Sequence, residues 1–548
     1  MKKISFVFIF STSLYAQDSS IPSVNLPRGH FAYDLIERWE TEGRLEPSID
    51  YRNLPYTRAI VTQAILSVQK GLDSGKVGLS RSDAQLFVKL KGEFHRELMN
   101  VAVQSEEREK NIFYLQSTAK HSVSDAVGDA IFNQTLDITR HKSLSDSLDD
   151  IVSYTAVIGR VRGIFMNSIA YYSDFTSTLI KGASGDFTFG QIAQGGNVNF
   201  NPSSSNVYSL EANAYVVIQP KWLRVQFGKD YLSFGPARHS NVFLSDNAPP
   251  FDHLRVDASF RRLKFTYLHG WLRSTDRPFN DAGKTSDRKF LVAHRLEFRV
   301  FPWLFIAGNE SVIYGGRAIE ATYLNPLMVY HIAEQYLGDK DNNTIAFDVT
   351  AFPWRRIKLY SALFLDDFTS SRNPFRYWKQ TWAFQAGILW VQPFQFRDTD
   401  FRFEYSRIEP YVYTHKWGLI TYTHFDQSLG SFLPPNSDSY FSEIKYRFSR
   451  RIQMRGSYEL IRHGRGDLET FGYADGFVDA GNPGKQDKKF LMGVNERKHI
   501  VSFNGRWETW NNHYLYGTWQ LTMTQNVGNN RGQDQTQHRF LIGYSLDY

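Results

Sequence analysis

From about residue 127 onward, apolar and polar residues alternate with a period of two, and turn-forming residues break the alternation at intervals. That period puts successive side chains on opposite faces of a strand, so each run predicts a strand with one apolar and one polar face. Tyr208 to Ile218 and Leu223 to Tyr231 read as neighbours across Pro220-Lys221, and Ala258 to Tyr267 contains Phe260, Leu263, Phe265 and Tyr267 with room for a hairpin turn. Leu291 to Phe298 and Leu304 to Val312 flank Phe301-Pro302-Trp303. Ile345 to Val349 and Ile357 to Leu365 flank Phe352-Pro353-Trp354. These two corners predict a repeated strand-turn-strand unit whose aromatics suit a membrane interface. Further runs lie at 127–137, 152–173, 184–194, 381–391, 398–406, 411–423, 438–448, 451–462, 488–496, 499–510, 514–526 and 536–548. Together they predict roughly 16 to 20 strands.

The final run is the clearest. Phe540, Ile542, Tyr544, Leu546 and Tyr548 alternate with Leu541, Gly543, Ser545 and Asp547, and the chain closes on an aromatic. An apolar outer face and a small or polar inner one fit the closing strand of a transmembrane barrel. Longer candidate loops at 232–252, 271–288, 316–343, 366–378, 424–437 and 463–487 are rich in Gly, Asn, Asp, Ser and Pro. Their alternation with short turns is expected when one barrel end faces outside.

Residues 30 to about 110 have a helical period instead. Phe31, Leu35 and Trp39 share one face before a stop at Gly43. Thr57 can cap a second helix with the stripe Val61, Ala64 or Ile65, and Val68, ending at Gly71. Ser80 and Asp83 suit a capping pair for a third, with the stripe Phe87, Leu90, Phe94 and Leu98. Such short helices need one another's apolar faces. Two placements stay open for them, beside the barrel as a periplasmic packing domain or inside it as a plug.

The start of the chain adds a destination. Met1-Lys2-Lys3 precedes the apolar run from Ile4 to Tyr15, and Ala16 is followed by Gln17-Asp18-Ser19-Ser20, the layout of a secretory signal peptide. No later stretch has 18 continuous apolar residues, so transmembrane helices are not expected. The chain is nonetheless 16% aromatic, with 43 Phe, 30 Tyr and 12 Trp, at a mean hydropathy of −0.41. A barrel reconciles the two, because only alternate residues face lipid. The absence of Cys excludes disulfide scaffolds, thiol enzymes and Cys-based metal sites. The net charge of +7 is dispersed, with no nucleic-acid signature.

Candidate chemistry is concentrated in residues 228 to 256, GKDYLSFGPARHSNVFLSDNAPPFDHLRV. Arg238, His239, Asn241, Ser245, Asp246 and Asn247 offer donors and acceptors at close spacing beside Tyr231, Phe234 and Phe243. Paired polar groups and ring faces suit a carbohydrate. The same groups equally suit a loop folded into the lumen that holds itself together. A second polar set runs through Arg317, Tyr323, Asn325 and His331, and a third is Asp366-Asp367. Charges enclosed in a lumen need partners, so Arg238 and Arg317 are expected to brace the aspartates, or else to meet an acidic polysaccharide. Asp339, Asp341 and Asn343 alternate as calcium ligands do but lack the Gly and terminal Glu of an EF-hand, and no metal or cofactor is expected. No Gly-x-Ser-x-Gly elbow supports a hydrolase.

The segment FGPARHSNVFLSDNAPPFDHLR, with Tyr323-Leu324-Asn325-Pro326, Leu363-Phe364-Leu365-Asp366-Asp367 and Leu54-Pro55-Tyr56-Thr57-Arg58, resembles the capsule-assembly, Wzi-like outer-membrane family. The resemblance covers nearly the whole chain after the signal. It implies a closed antiparallel barrel of about 18 strands with helical elements on the periplasmic side, and a lectin-like rather than enzymatic role in attaching or organising capsular polysaccharide. The expected layout is a signal peptide at 1–16, a helical domain and connection at 17–125, and an all-β transmembrane barrel at 126–548, in the outer membrane of a Gram-negative-type cell. The expected partners are polysaccharide, outer-membrane lipid and a polysaccharide export machinery, with no nucleic acid and a monomeric state. The candidate ligand residues are Arg238, Asn241, Asp246, Asn247, Arg317, Asp366 and Asp367. The competing expectations are a porin or solute transporter, and a barrel enzyme acting on lipid or glycan.

Overall fold

The computed structural model describes residues 22–100 and 125–547, apart from 144–146, 166–167, 183–196, 202–205, 221, 275–287, 369–370 and 469–486. The predicted signal peptide, the predicted strand at 184–194, most of the predicted connection (101–124) and Tyr548 therefore lie outside the described residues.

Eighteen antiparallel strands form one closed wall. In chain order they are β1 (Asp125–Ser143), β2 (Ser147–Phe165), β3 (Ile169–Lys181), β4 (Asn206–Ile218), β5 (Leu223–Asp230) and β6 (Phe251–Phe260). Next come β7 (Leu263–Leu272), β8 (Lys289–Phe301), β9 (Leu304–Gly315), β10 (Asn342–Trp354), β11 (Ile357–Asp367) and β12 (Thr381–Val391). The wall ends with β13 (Thr399–Ile408), β14 (Ser437–Arg447), β15 (Ile452–His463), β16 (Glu496–Trp510), β17 (His513–Gln525) and β18 (Gln535–Asp547). A short strand, Asn197–Asn201, lies beside the start of β4. The ring closes where β18 pairs with β1, Ile131 opposite Asp547 through Ser143 opposite Gln535. Closure leaves no backbone edge for hydrocarbon to desolvate.

The alternation sets the two faces. Leu296, Phe298, Ile306, Phe347, Phe503, Phe540 and Ile542 stand exposed on the outside. Their neighbours Arg295, Glu297, Asn309 and Asp348 are bonded to one another inside. Both Phe-Pro-Trp corners fall at the short-turn end, where Phe301 and Trp303 stack at 5.6 Å. The predicted long loops all open at the opposite end.

Two predicted strands are not strands. Residues 411–423 turn into the lumen because left-handed backbone at Tyr411 and Tyr413 breaks the ladder and their side chains are fully buried. Residues 488–495 form a loop with left-handed Leu491 and Gly493, and β16 begins only at Glu496. The run at 152–173 divides between β2 and β3.

The helical segment folds as predicted into α1 (Ala32–Thr41), α2 (Arg58–Asp73) and α3 (Arg81–Glu93). Leu35, Trp39, Val61, Ala64, Ile65, Val68, Phe87, Leu90 and Phe94 form one core. Thr57 Oγ1 accepts the Ile60 N–H at 3.2 Å, and Ser80 Oγ accepts that of Asp83 at 3.1 Å. Asp83 does not complete a reciprocal cap, because its carboxylate turns to Arg38 and Arg44. Helix α2 runs two residues past Gly71, whose missing Cβ lets Val77 fold back against it.

Of the two placements, the structure shows the plug. Asp50 meets Lys264 of β7 at 3.1 Å, Asn53 meets Glu297 of β8 at 2.6 Å, Asp34 meets Lys445 of β14 at 3.0 Å, and Lys89 meets Glu508 of β16 at 3.0 Å. All four partners lie near the short turns, so the helices seat in that mouth and bond around its circumference. From the other end, residues 231–250 and 409–436 turn inward. Leu232, Phe234, Val242, Tyr413, Tyr422 and Leu429 pack against lumen-facing Leu268, Leu291, Ile313 and Phe364.

This two-faced wall predicts the effect of a misplaced charge. Ile542→Arg, on the lipid face of β18, is expected to lower folding stability in lipid vesicles by about 2–4 kcal/mol. Leu541→Arg, entering the polar lumen one residue away, is expected to lower it by distinctly less. Urea titration of both variants checks the difference.

Candidate functional site inside the barrel

Alternate positions of a barrel strand face the lumen, so a charged pair spaced by two residues points both groups inward. Lys358 and Tyr360 on β11, and Arg402 and Glu404 on β13, are placed in this way. Helix α1 brings Glu37 to meet them. One Glu37 oxygen accepts from Lys358 Nζ at 2.7 Å. The other accepts from Arg402 Nη2 at 2.7 Å and from Arg238 Nε at 3.3 Å. Burial opposes the charge of Glu37, but Arg402, Lys358 and Arg238 outweigh it and hold the carboxyl well below its usual range.

Glu404 does the complementary job for the inward loop. It accepts the backbone N–H groups of Arg238 at 3.0 Å and His239 at 3.2 Å. It also accepts the Tyr360 hydroxyl at 2.6 Å. Tyr360 reaches it by lying across Gly387 of β12, where a Cβ would collide with the ring. Arg238 Nη2 donates to the Tyr56 hydroxyl of the helical unit at 2.8 Å. One guanidinium therefore ties the outer loop to the inner plug.

Beside this knot lies a cavity of about 530 Å³, bounded by the helical unit, the inward loop and the wall from β14 to β17. Ser457, Ser502, Asn504, Thr518 and Gln520 form its wall side, and Tyr33, Tyr231, Arg238 and Asp246 its inner side. A second space of about 200 Å³ shares Arg28, Arg238, His239 and Asp246 with it. Arg28 and Asp246 pair at 2.7 Å and stay half-exposed, and the Arg28 guanidinium lies 5.1 Å from the Tyr231 ring centre. Hydroxyls and amides, the Arg28–Asp246 pair, and the linked charges of Asp34, Lys445, Glu443 and Arg455 form a polar surface beside two tyrosine rings. Among the described residues, no cluster of His, Asp and Glu suits a metal.

His239 anchors the loop on its other side. Its ring stacks on Phe441 at 3.7 Å and 5°, and Nε2 bonds Glu459 at 2.9 Å. Burial disfavours the imidazolium, but the bond to Glu459 and that carboxylate's charge outweigh burial and raise the pKa above its ordinary value.

The seven predicted site residues separate. Arg238 and Asp246 line the cavity. Asn241 is spent within its own loop, donating to Ser233 Oγ at 2.7 Å and accepting from Ala237 N at 3.2 Å. Asn247 donates to Ser428 O at 3.0 Å, tying the two inward loops together. Arg317 grips Asp341 with two bonds of 2.8 and 2.6 Å in the outer loop after β9. Asp366 accepts the Tyr413 N–H at 2.7 Å, and Asp367 stands exposed where β11 bulges. The arginines do brace the interior and the outer loop, but on Glu37 and Asp341 rather than on Asp366 and Asp367. Asp341, one of the three alternating residues of the calcium pattern, is occupied by Arg317 and the Tyr323 hydroxyl.

Glu37, Arg28, Lys358, Arg402 and Glu404 were missed as site residues. The one signal available was the i, i+2 spacing of polar residues within strongly apolar strands.

A closed outer-membrane β-barrel packed from both ends with its own chain is the class these features define. The family model described as capsule assembly protein Wzi matches residues 177–539, and the chain belongs to that family. In fold it is similar to Wzi, an outer membrane protein involved in group 1 capsule assembly in Escherichia coli. That likeness has a TM-score of 0.56 at 9% identity and covers 95% of this chain and 98% of that one. More distant barrels include the outer membrane protein opdK of Pseudomonas aeruginosa, with a TM-score of 0.44 at 8% identity over 77% of this chain and 99% of that one. Another is OccAB4 of Acinetobacter baumannii, with a TM-score of 0.41 at 10% identity over 77% and 98%. No curated protein matches the chain.

Removing the charge of the shared carboxylate is expected to loosen both plugs. Glu37→Gln leaves the buried Lys358 and Arg402 and the partly buried Arg238 short of their partner, and loss of a buried pair lowers stability by about 3–5 kcal/mol. The check is an earlier unfolding midpoint in urea, with faster hydrogen exchange in 231–250 and unchanged exchange in β17 and β18. His239 adds a pH dependence. Its pKa is raised in the folded state, so its contribution is fully present below the unfolded value of about 6.5. It is lost as pH rises through the higher folded value. Exchange protection of residues 231–250 should fall over that interval, and His239→Gln should abolish the pH dependence.

Proposed function

We propose that the protein binds exported polysaccharide and takes part in assembling or attaching a capsular or exopolysaccharide layer at the cell surface, without catalysing a reaction. The observation that carries this is the filled lumen. Three helices bond around the short-turn mouth, two loops fill the opposite half, and the space between is a lined cavity. A porin or solute transporter needs a continuous aqueous path where these segments sit. Support also comes from the family, whose model is named for capsule assembly. The Escherichia coli protein of similar fold is described as a carbohydrate-binding β-barrel.

Among the candidate residues, the half-exposed Asp246 and the exposed Asp367 are assigned to ligand contact, and Arg238, which lines the cavity while holding Glu37 and Tyr56, to both jobs. Asn241, Asn247, Arg317 and Asp366 are assigned to holding the loops, since their polar groups are taken up by protein partners. Sugar hydroxyls on neighbouring carbons take two hydrogen bonds from one carboxylate or guanidinium, and sugar C–H faces stack on rings such as that of Tyr231. Residues 1–16 act as the export signal, residues 17–125 as helical unit and connection, and residues 126–548 as barrel. The protein works as a monomer that receives its polymer from an export machinery.

Two measurements test this function. In planar bilayers the purified protein should give no large, stable single-channel steps, and such steps would establish the transporter instead. In cells, deletion should release polysaccharide into the medium, and normal retention on the deletion strain would refute the proposal.

A further inference from the structure

The loop after β9 does not follow the others. Residues 231–250 and 409–436 enter the lumen, whereas residues 316–341 fold down the outside of the wall. The alternation of the strands shows this. Leu268, Leu291, Ala293 and Ile313 pack on the inward loops. The residues adjacent to them along the same strands, Tyr267, Phe290, Val292, Val312 and Tyr314, therefore point outward. Those outward residues form a separate core with Tyr323, Tyr330 and Ala333 of the 316–341 segment.

What this segment covers explains why it is there. His294 and Glu310 pair at 2.9 Å on the outer face of β8 and β9. Glu310 stands six residues from the start of β9 at Leu304. At the rise and tilt of barrel strands that is roughly 15 Å above the short-turn end, within an apolar band about 25 Å tall. A charged pair facing hydrocarbon is strongly disfavoured. Here the ring of Tyr330 stacks on His294 at 4.5 Å. The backbone N–H groups of Tyr330 and His331 donate to Glu310 at 3.0 and 2.7 Å. The segment carries the short helix α4 (Tyr330–Tyr336), which buries Tyr330 and Ala333 against the wall.

Its other side exposes four large apolar residues, with His331 and Gln335 bonded to each other between them. Leu327 is 82% exposed, Val329 50%, Ile332 53% and Tyr336 91%. This ridge borders the lipid-facing surface that Leu296, Ile306 and Phe347 form on the same strands. We infer that residues 316–341 are an interfacial lipid-contact element. They lie against the outer wall in the outer leaflet, with Leu327, Val329, Ile332 and Tyr336 among acyl chains. The occupant is fixed by continuity with the barrel's own lipid face and by the depth of the pair beneath. The element shields the His294–Glu310 pair within an otherwise apolar stretch of wall and broadens the barrel's footprint on that side.

The chain contains no Cys, so single labels can be placed without background. Leu327→Cys, Ile332→Cys and Tyr336→Cys are each labelled with an environment-sensitive fluorophore. The refolded protein is placed in phosphatidylcholine vesicles with and without lipids carrying a spin-labelled acyl chain. Arg531→Cys, in the exposed turn between β17 and β18, is the aqueous reference. Blue-shifted emission and quenching several-fold stronger than at Arg531→Cys are expected at two or more of the three positions. Quenching equal to the reference would overturn the inference. So would blue-shifted emission that lipid-borne spins leave unquenched, which would identify a second copy of the chain as the covering surface. All three side chains are exposed, so the substitutions leave the core intact.

Discussion

An exported barrel has to dispose of the charges that its own alternation sends inward. The wall places Lys358, Arg402, Glu404 and Lys445 in an enclosed space, where an unpaired charge is strongly disfavoured. The chain answers with two segments from opposite ends. Helix α1 brings Asp34 and Glu37 to meet the cations from the short-turn side. The loop after β5 brings Arg238 and His239 to meet the carboxylates from the other. The remaining architecture follows from that neutralisation. The helices sit in the mouth because their charges find opposite charges on the strands, Asp34 and Glu37 on wall cations and Arg38 and Lys89 on Asp400 and Glu508. The inward loops are held in place because Glu404 and Glu459 receive them.

Apolar packing then divides the interior. On the side of β7 to β13, lumen-facing Leu268, Leu291, Ile313 and Phe364 receive the inward loops in a dry core. On the side of β15 to β17, the lumen face is Ser457, Ser502, Asn504, Thr518 and Gln520, and there the cavity lies. The barrel is thus half filled by its own hydrophobic contacts and half lined with small polar groups. That asymmetry separates a cavity-lining wall from a packing wall within a single sheet.

The period of two made the strands and the closing pair visible, and the capping residues Thr57 and Ser80 marked the helix starts. Local pattern failed at 411–423, where apolar residues made for burial in the lumen read as apolar residues made for lipid. Burial in either medium selects the same side chains, and only the left-handed backbone at Tyr411 and Tyr413 separates them. The charge network was illegible for another reason. Glu37 and Arg402 are 365 residues apart in sequence, and no spacing rule reaches across a closed sheet. The segment around Arg238 stood out in the sequence, and the structure places it inside the barrel. Its partners were misassigned to Asp366 and Asp367, because the helical unit that supplies Glu37 carried no sign of its position.

Arg238 holds Glu37 and Tyr56 of the inner plug through its side chain while its backbone is held by Glu404. Departure of either plug strips the other of a counter-charge or a hydrogen-bond partner, so their docking equilibria are linked. Linkage is reciprocal in free energy. Whatever draws the loop away weakens the seating of α1, and whatever loosens α1 weakens the docking of the loop by the same factor. The two mouths of the barrel are thereby joined through a single side chain, so the seating of one plug registers at the other face of the membrane.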